Sequence, residues 1–390
     1  MIPAVLPTYA RADLSFERGE GPYLFTSDGK KYLDFTSGVA VTALGHCHPY
    51  LVKVLAEQAQ KLWHCSNLFQ VSGQQKLAER LIANSFADTA FFCNSGAEAM
   101  ECAIKVARKY HAASGHPEKV RVIACTGSFH GRTLATLAAA GNEKYLAGFG
   151  PPAPGFDHVA FGNLNEMRAA VTAETAAILV EPVQGEGGLA TAPEGYLKGL
   201  RAICEEFGLL LVYDEVQCGM GRTGKLFAHQ WEGVTPDVLA TAKALGGGFP
   251  VGACLATERA AAGMVPGTHG STFGGNPLAM AVANGVLDVM LADGFFDNVQ
   301  RMAALLRRRL EALAAKHPRV IAEARGKGLL AGVKCAVPNT DMVGRLRERG
   351  LLTVGAGENV VRLLPPLIVN EGHIDEALGI IDGAARQWTP

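Results

Sequence analysis

The sequence predicts an α/β protein built on a large, mostly parallel sheet with helices on both faces. Two observations predict it. Six short apolar runs, 90–93, 120–125, 176–183, 209–216, 238–242 and 251–256, alternate with helical stretches; strands this uniformly apolar must be covered on both sides. The 390 residues are 48% apolar and 19% charged, enough to bury a large core and too little charge for a disordered chain.

The elements follow in order. The first 44 residues carry strand-like pieces, YLF and KYLDF. Leu51, Val54, Leu55 and Leu62, then Leu77, Leu81 and Ile82, recur at helical spacing, which predicts amphipathic helices over 51–62 and 74–86. After the six runs come helical patterns over about 276–315 and strand-like segments at 328–335 and 360–367. No repeat, low-complexity tract or Ser/Pro linker separates modules. The chain therefore divides into an interwoven pair: a large part, 45–275, and a smaller α/β part from both ends, 1–44 with 276–390. Ligands should gather at the carboxyl ends of the strands.

Lys and Arg number 36 against 37 Asp and Glu, a net charge of -1 with no basic block. That argues against a protein whose task is holding nucleic acid or an anionic membrane. No apolar run reaches about 18 residues and no basic-then-apolar leader opens the sequence, so a cytoplasmic location is expected. Nine cysteines without a CxxC pair read as reduced thiols. His46, Cys47 and His48 are consecutive and have no second ligand cluster, so no metal is expected.

Gly219, Gly221 and Gly224 spell GxGxxG after a strong strand, the pattern of a nicotinamide dinucleotide site. The following segment is too short before Gly233 and Pro236 to supply the helix such a site needs, and Leu226 replaces the hydroxyl of a phosphate P-loop. A surface loop is the plainer reading. More telling is Asp214-Glu215-Val216-Gln217, where carboxylates appear as an apolar run ends, at the ligand-binding edge. Lys243 ends the next run and precedes three glycines. Such a lysine is either a solvated surface charge or a desolvated, neutral amine able to attack an aldehyde. Paired with an Asp, the second reading points to pyridoxal phosphate, whose protonated ring nitrogen needs an anion.

A phosphate needs a cradle, and Asn94-Ser95-Gly96-Ala97 supplies one at a strand-to-helix junction. Gly270-Ser271-Thr272 is a second cluster of hydroxyls and glycine. In Ser128-Phe129-His130-Gly131-Arg132, Phe129 could cover a planar ring and Arg132 pair with a carboxylate, or the two could be core and structural ion pair.

Taken together, GKKYLDFTSGVAVTALGHCHP, CNSGAEAMECAIKVAR, SFHGRT, VEPVQGEGG, YDEVQCGMGRTG, AKALGGGFPVGA, HGSTFGGNP, RGKGLL and VRLLPPL resemble, nearly end to end, the class III, fold-type-I pyridoxal phosphate aminotransferases. The resemblance implies that Lys243 holds the cofactor aldehyde and moves a proton. Asp214 would face the ring nitrogen, Gln217 the phenolic oxygen and Phe129 the ring face, with Glu215 and Val216 in the same cofactor-contacting segment. Ser95, Gly96 and Ala97 would bind the phosphate, Ala97 standing where many relatives have Thr; Thr272 would reach it from a second subunit, making a homodimer part of the site. For substrates it implies Arg132 with Ser271 and Tyr9, and Arg362 for the α-carboxylate of glutamate, masked by Glu186 until glutamate arrives. TYARADLSFERGEG, VTALGHCHP and LWHCSNLF are most similar to the acetylornithine-using branch, which implies ping-pong transfer from N2-acetyl-L-ornithine to 2-oxoglutarate. Ornithine, 4-aminobutyrate and succinyldiaminopimelate are the alternative ω-amines, and a nicotinamide oxidoreductase is the alternative outside the family.

Overall fold

A computed structural model describes residues 2–388. Seven strands form the central sheet, in spatial order Thr89–Cys93, Gly252–Ala256, Val238–Thr241, Leu210–Asp214, Thr175–Val180, Arg121–Cys125 and Phe156–Val159. All pairings are parallel except those of Gly252–Ala256, which runs antiparallel to both neighbours. Only residues 242–251 link it to the preceding strand, too few for a crossover helix, so it must fold back. Every residue of Thr175–Val180 and Leu210–Asp214 is buried, as expected for strands covered on both faces.

Helix Gly96–Ala113 packs across one face through Ala99, Cys102, Ala103, Val106 and Ala107, whose small side chains bring backbone close to the sheet. Helix Tyr196–Phe207 covers the other face with Leu197, Leu200, Ile203 and Cys204. The helical patterns expected over 51–62 and 74–86 appear as Pro49–Ala59 and Ser72–Ala83. The long stretch 276–315 is two helices, Pro277–Met290 and Phe295–Lys316, parted where Gly294 turns to φ 79°.

The two chain ends meet in one sheet: Leu351–Leu352 pairs in parallel with Lys31–Asp34, which continues through Tyr23–Phe25 to Arg18–Glu20. A second four-stranded sheet joins Ile321–Lys327, Leu330–Cys335, Val360–Leu363 and Val354–Ala356. Helix Pro277–Met290 packs on Pro49–Ala59 and Ser72–Ala83. Its Gly285 allows this, because a Cβ there would lie 3.1 Å from Leu51.

The glycines 219, 221 and 224 lie in a turn-rich loop with no α-helix after it. They are small because the chain packs tightly: a Cβ on Gly219 would sit 2.6 Å from the Glu215 carbonyl, and one on Gly221 2.8 Å from Leu367. No α-helix opens directly after them to receive a dinucleotide, so these glycines do not form the site on which the oxidoreductase reading rested.

Candidate active site

Five chain segments leave the carboxyl ends of parallel strands on one edge of the central sheet: the ones after Cys93, Cys125, Val180, Asp214 and Thr241. Between them lies a cavity of about 400 Å³, lined among others by Ser95, Phe129, Glu181, Asp214, Gln217 and Lys243.

Lys243 begins a short turn after its strand with φ 46°, a left-handed conformation that a non-glycine residue adopts at a cost of about 1 kcal/mol or more. The backbone aims the side chain into the cavity wall. Burial lowers the amine's pKa below the ordinary lysine value, against the opposing pull of Glu186 and Asp214. A neutral, nucleophilic fraction is thereby favoured.

Asp214 is the last residue of its strand and only 3% exposed. Its charge is met on both oxygens: Oδ1 accepts from the Val216 N–H at 2.9 Å and Oδ2 lies 2.8 Å from Nδ1 of His130. His130 is itself buried, and its Nε2 finds no partner among the described residues. The pair forms a fixed anionic floor, because a buried carboxylate without such partners would cost several kcal/mol.

At another end, Ser95 caps helix Gly96–Ala113, accepting from the Glu98 N–H and donating to its carboxylate. The N–H groups of Gly96 and Ala97 belong to the first helical turn and have no intrahelical acceptor. Gly96 is pressed against Val216, where a Cβ would come within 2.6 Å of Cγ1. The opening there admits a small anion facing free amides and a helix dipole.

Phe129 follows the strand Arg121–Cys125 and is half-buried at the cavity wall. Arg132 stands at the mouth with its guanidinium 3.8 Å from the Tyr145 ring centroid and, among the described residues, no carboxylate partner. Arg362 is buried and pairs with Glu186 at 2.6 Å, with further bonds to Gln217 Oε1 and the Gly355 carbonyl, both at 3.1 Å. Gln217 thus links the Arg362 group to the cavity.

Some residues assigned on sequence lie elsewhere. Glu215, just past the end of the strand, sends its carboxylate to the N–H groups of Ala228 and His229, from which it accepts. Its side chain holds a loop and does not line the cavity. Tyr9 is 74% exposed. Ser271 is tied to Gly274 N at 2.9 Å, and it and Thr272 stay outside the cavity of their own chain. Two titratable lining residues went unassigned, His130 and Glu181. The signal for Glu181 was present in VEPVQ, an acid just past an apolar strand, the same pattern that marked Asp214.

A family model, aminotransferase class-III, matches residues 7–385. The chain belongs to the class-III aminotransferases. Within that family it is 61% identical over 382 residues to acetylornithine aminotransferase 1 of Bradyrhizobium diazoefficiens, covering 98% of this chain and 94% of the relative. It is 59% identical to the acetylornithine aminotransferase of Mesorhizobium japonicum over 98% of this chain and 96% of the relative. Among solved structures, the ornithine aminotransferase of Toxoplasma gondii superposes with TM-score 0.94 at 33% identity over 98% of this chain and 92% of that one. The N-acetylornithine aminotransferase of Stenotrophomonas maltophilia does so with TM-score 0.84 at 38% identity over 96% of each. The class-III architecture accounts for the fold-type-I arrangement of a large central sheet with a smaller α/β part.

Proposed function

We propose that this class-III aminotransferase converts N2-acetyl-L-ornithine and 2-oxoglutarate to N-acetyl-L-glutamate 5-semialdehyde and L-glutamate, with pyridoxal phosphate as cofactor. The observation that carries the reading is the sharing of one cavity by the desolvated Lys243 amine, the Asp214–His130 floor and the free amides after Ser95. These donors fit the group: an amine for an aldehyde, an anion for a ring nitrogen, and a helix start that only glycine leaves open. The names of the relatives support the substrate.

When bound, pyridoxal phosphate supplies an aldehyde carbon that condenses with amines and a ring that accepts the electron pair left on the substrate carbon. Lys243 would hold the aldehyde carbon, and its neutral amine would take and return the proton on the carbon bearing the substrate amino group. Asp214, held in place by His130, would hold the ring nitrogen. Gln217 would hold the phenolic oxygen and Phe129 would lie on one ring face. Ser95, Gly96 and Ala97 would take the phosphate with the partner subunit's Thr272; Val216 backs Gly96.

Arg132 would grip the α-carboxylate of acetylornithine and the side-chain carboxylate of glutamate, with Ser271 and Tyr9 contributing in the assembled dimer. Arg362 would bind glutamate's α-carboxylate once Glu186 moves aside. That exchange of one carboxylate for another lets one site serve both donors.

The homodimer is supported by an apolar patch around Thr272. Trp63, Leu68, Phe69 and Phe273 are all more than 60% exposed, and Asn67 ties their loops together through the Ser271 and Gly274 carbonyls. No single helix is long and apolar enough to cross a membrane among the described residues; the reading places the enzyme in the cytoplasm and assigns 45–275 to the cofactor and 1–44 with 276–390 to the smaller part. The test is a panel of first half-reactions with acetylornithine, ornithine, succinyldiaminopimelate and 4-aminobutyrate, followed by the absorbance of the bound cofactor. Acetylornithine is expected to react fastest, and faster reaction with ornithine would overturn the substrate.

A further inference from the structure

Glu181 follows the strand Thr175–Val180 and is 4% exposed. Its two oxygens do separate work: Oε1 accepts from the backbone N–H of Phe129 at 2.8 Å and Oε2 from that of Gly185 at 3.1 Å. One N–H belongs to the aromatic wall of the cavity. The other opens the turn that carries Glu186, the partner of Arg362.

The turn is seated against Gln217 with no slack, since a Cβ on Gly185 would lie 2.1 Å from Gln217 Oε1. Gln217 in turn accepts from Arg362. A single carboxyl therefore fixes the Phe129 wall, the back of Gln217 and the base of the Glu186–Arg362 pair.

We infer that Glu181 is a positioning residue of the proposed reaction, strapping the ring-covering Phe129 and the Glu186 turn to the same point behind the Asp214–His130 pair. This rests on the proposed function. The carboxyl is buried within electrostatic range of Asp214, and burial first, then Asp214, pushes its pKa up to about 7. A fold that places two acids this close bears a desolvation cost that packing would not select. Only a carboxylate offers an acceptor to each of two diverging N–H groups, whereas an amide offers one. The charged and titratable groups that face it are Asp214, His130 and Lys243, with the thiols of Cys125 and Cys218 nearby.

The test compares Glu181→Gln and Glu181→Asp with wild type as full-length enzyme loaded with pyridoxal phosphate. Cofactor Kd, melting temperature, kcat and KM in each half-reaction, and the pH midpoint of the bound cofactor's visible absorption are measured. Glutamine removes one acceptor and the charge; aspartate keeps the charge and loses the reach. Both are expected to slow both half-reactions about tenfold per bound cofactor, since misplaced reacting groups cost that much or more. In the glutamine variant the midpoint falls by about one pH unit because an anion near Lys243 is gone, and in the aspartate variant it holds.

Wild-type rates per bound cofactor in both variants would overturn the inference. So would losses that track melting temperature and cofactor occupancy while the glutamine midpoint stays put. If the wild type itself fails with every donor, the proposed function falls; if it turns over and the Glu181 variants are indifferent, only the positioning role does.

Discussion

Arg362→Ala separates the two half-reactions. In wild type, Arg362 is 2% exposed and makes a charge-assisted pair with Glu186 at 2.6 Å and neutral bonds to Gln217 and the Gly355 carbonyl, both at 3.1 Å. On binding glutamate, the α-carboxylate takes Glu186's place, so truncation removes one charged pair from that half-reaction. Losing a partner of a buried charged pair costs about 2–5 kcal/mol. The side chain of Glu186 is 29% exposed, so the water available to it puts the effect at about 3 kcal/mol, roughly 150-fold in kcat/KM for glutamate. The Gln217 bond is shared by both donors and is worth about 1 kcal/mol, roughly fivefold. Acetylornithine should then lose about fivefold and glutamate about 750-fold, the product of the two effects. Stopped-flow absorbance of each half-reaction under single-turnover conditions measures both ratios. Equal losses would refute the assignment of Arg362 to glutamate.

Lys243→Ala should keep fold and assembly, lose borohydride-reducible cofactor and abolish turnover; its melting temperature should hold or rise, because a desolvated amine has gone. Undiminished transamination would remove Lys243 from its role. Gly96→Ala should weaken cofactor binding about tenfold, since the new methyl meets Val216 at 2.6 Å and neighbours must shift by 1–3 kcal/mol worth of strain, of order; equilibrium dialysis of the apo protein decides it. Asp382 is held by Lys316, His317 and Arg386, and the bonds to Lys316 and His317 lower its pKa most. A lowered carboxyl pKa stabilises the folded state above the unfolded value and loses that stability as pH falls through the folded one. Asp382→Asn should therefore cost about 1 kcal/mol at neutral pH after solvent screening, with the gap to wild type narrowing below about pH 4, as urea melts at several pH values would record.

The six apolar runs were legible because strands buried on both faces leave no polar alternation to misread. The seventh, Phe156–Val159, lies at the sheet's edge, and its sequence FDHV mixes charge with apolar residues as an edge permits. Ile321–Lys327 was hidden for a similar reason, with Glu323, Arg325 and Lys327 along it. In the site, Lys243, Asp214, Phe129 and Gln217 could be read because each sits at or just past the end of a strand. Glu215, beside Asp214 in sequence, is bound instead to the Ala228–His229 turn, a partnership between segments that the sequence does not show. His130 needed coordinates, since its meaning lies in pairing with Asp214 far along the chain, whereas Glu181 carried the same strand-end signal as Asp214. Tyr9, Ser271 and Thr272 do not line the cavity of their own chain, so a single chain gives no geometry for the roles proposed for them.

The pairing of Leu351 with Leu33 also governs how the protein is made. At synthesis rates of about 5–20 residues per second, the strand Lys31–Asp34 leaves the ribosome roughly 15–60 seconds before its partner exists. The central sheet, complete by Ala256, can settle during that interval, while the amino-terminal hairpin waits with an unpaired margin. Production stalled or cut short ahead of Leu351 would release chains with a finished middle and an adhesive front end, the kind of product that chaperones retain and proteases remove.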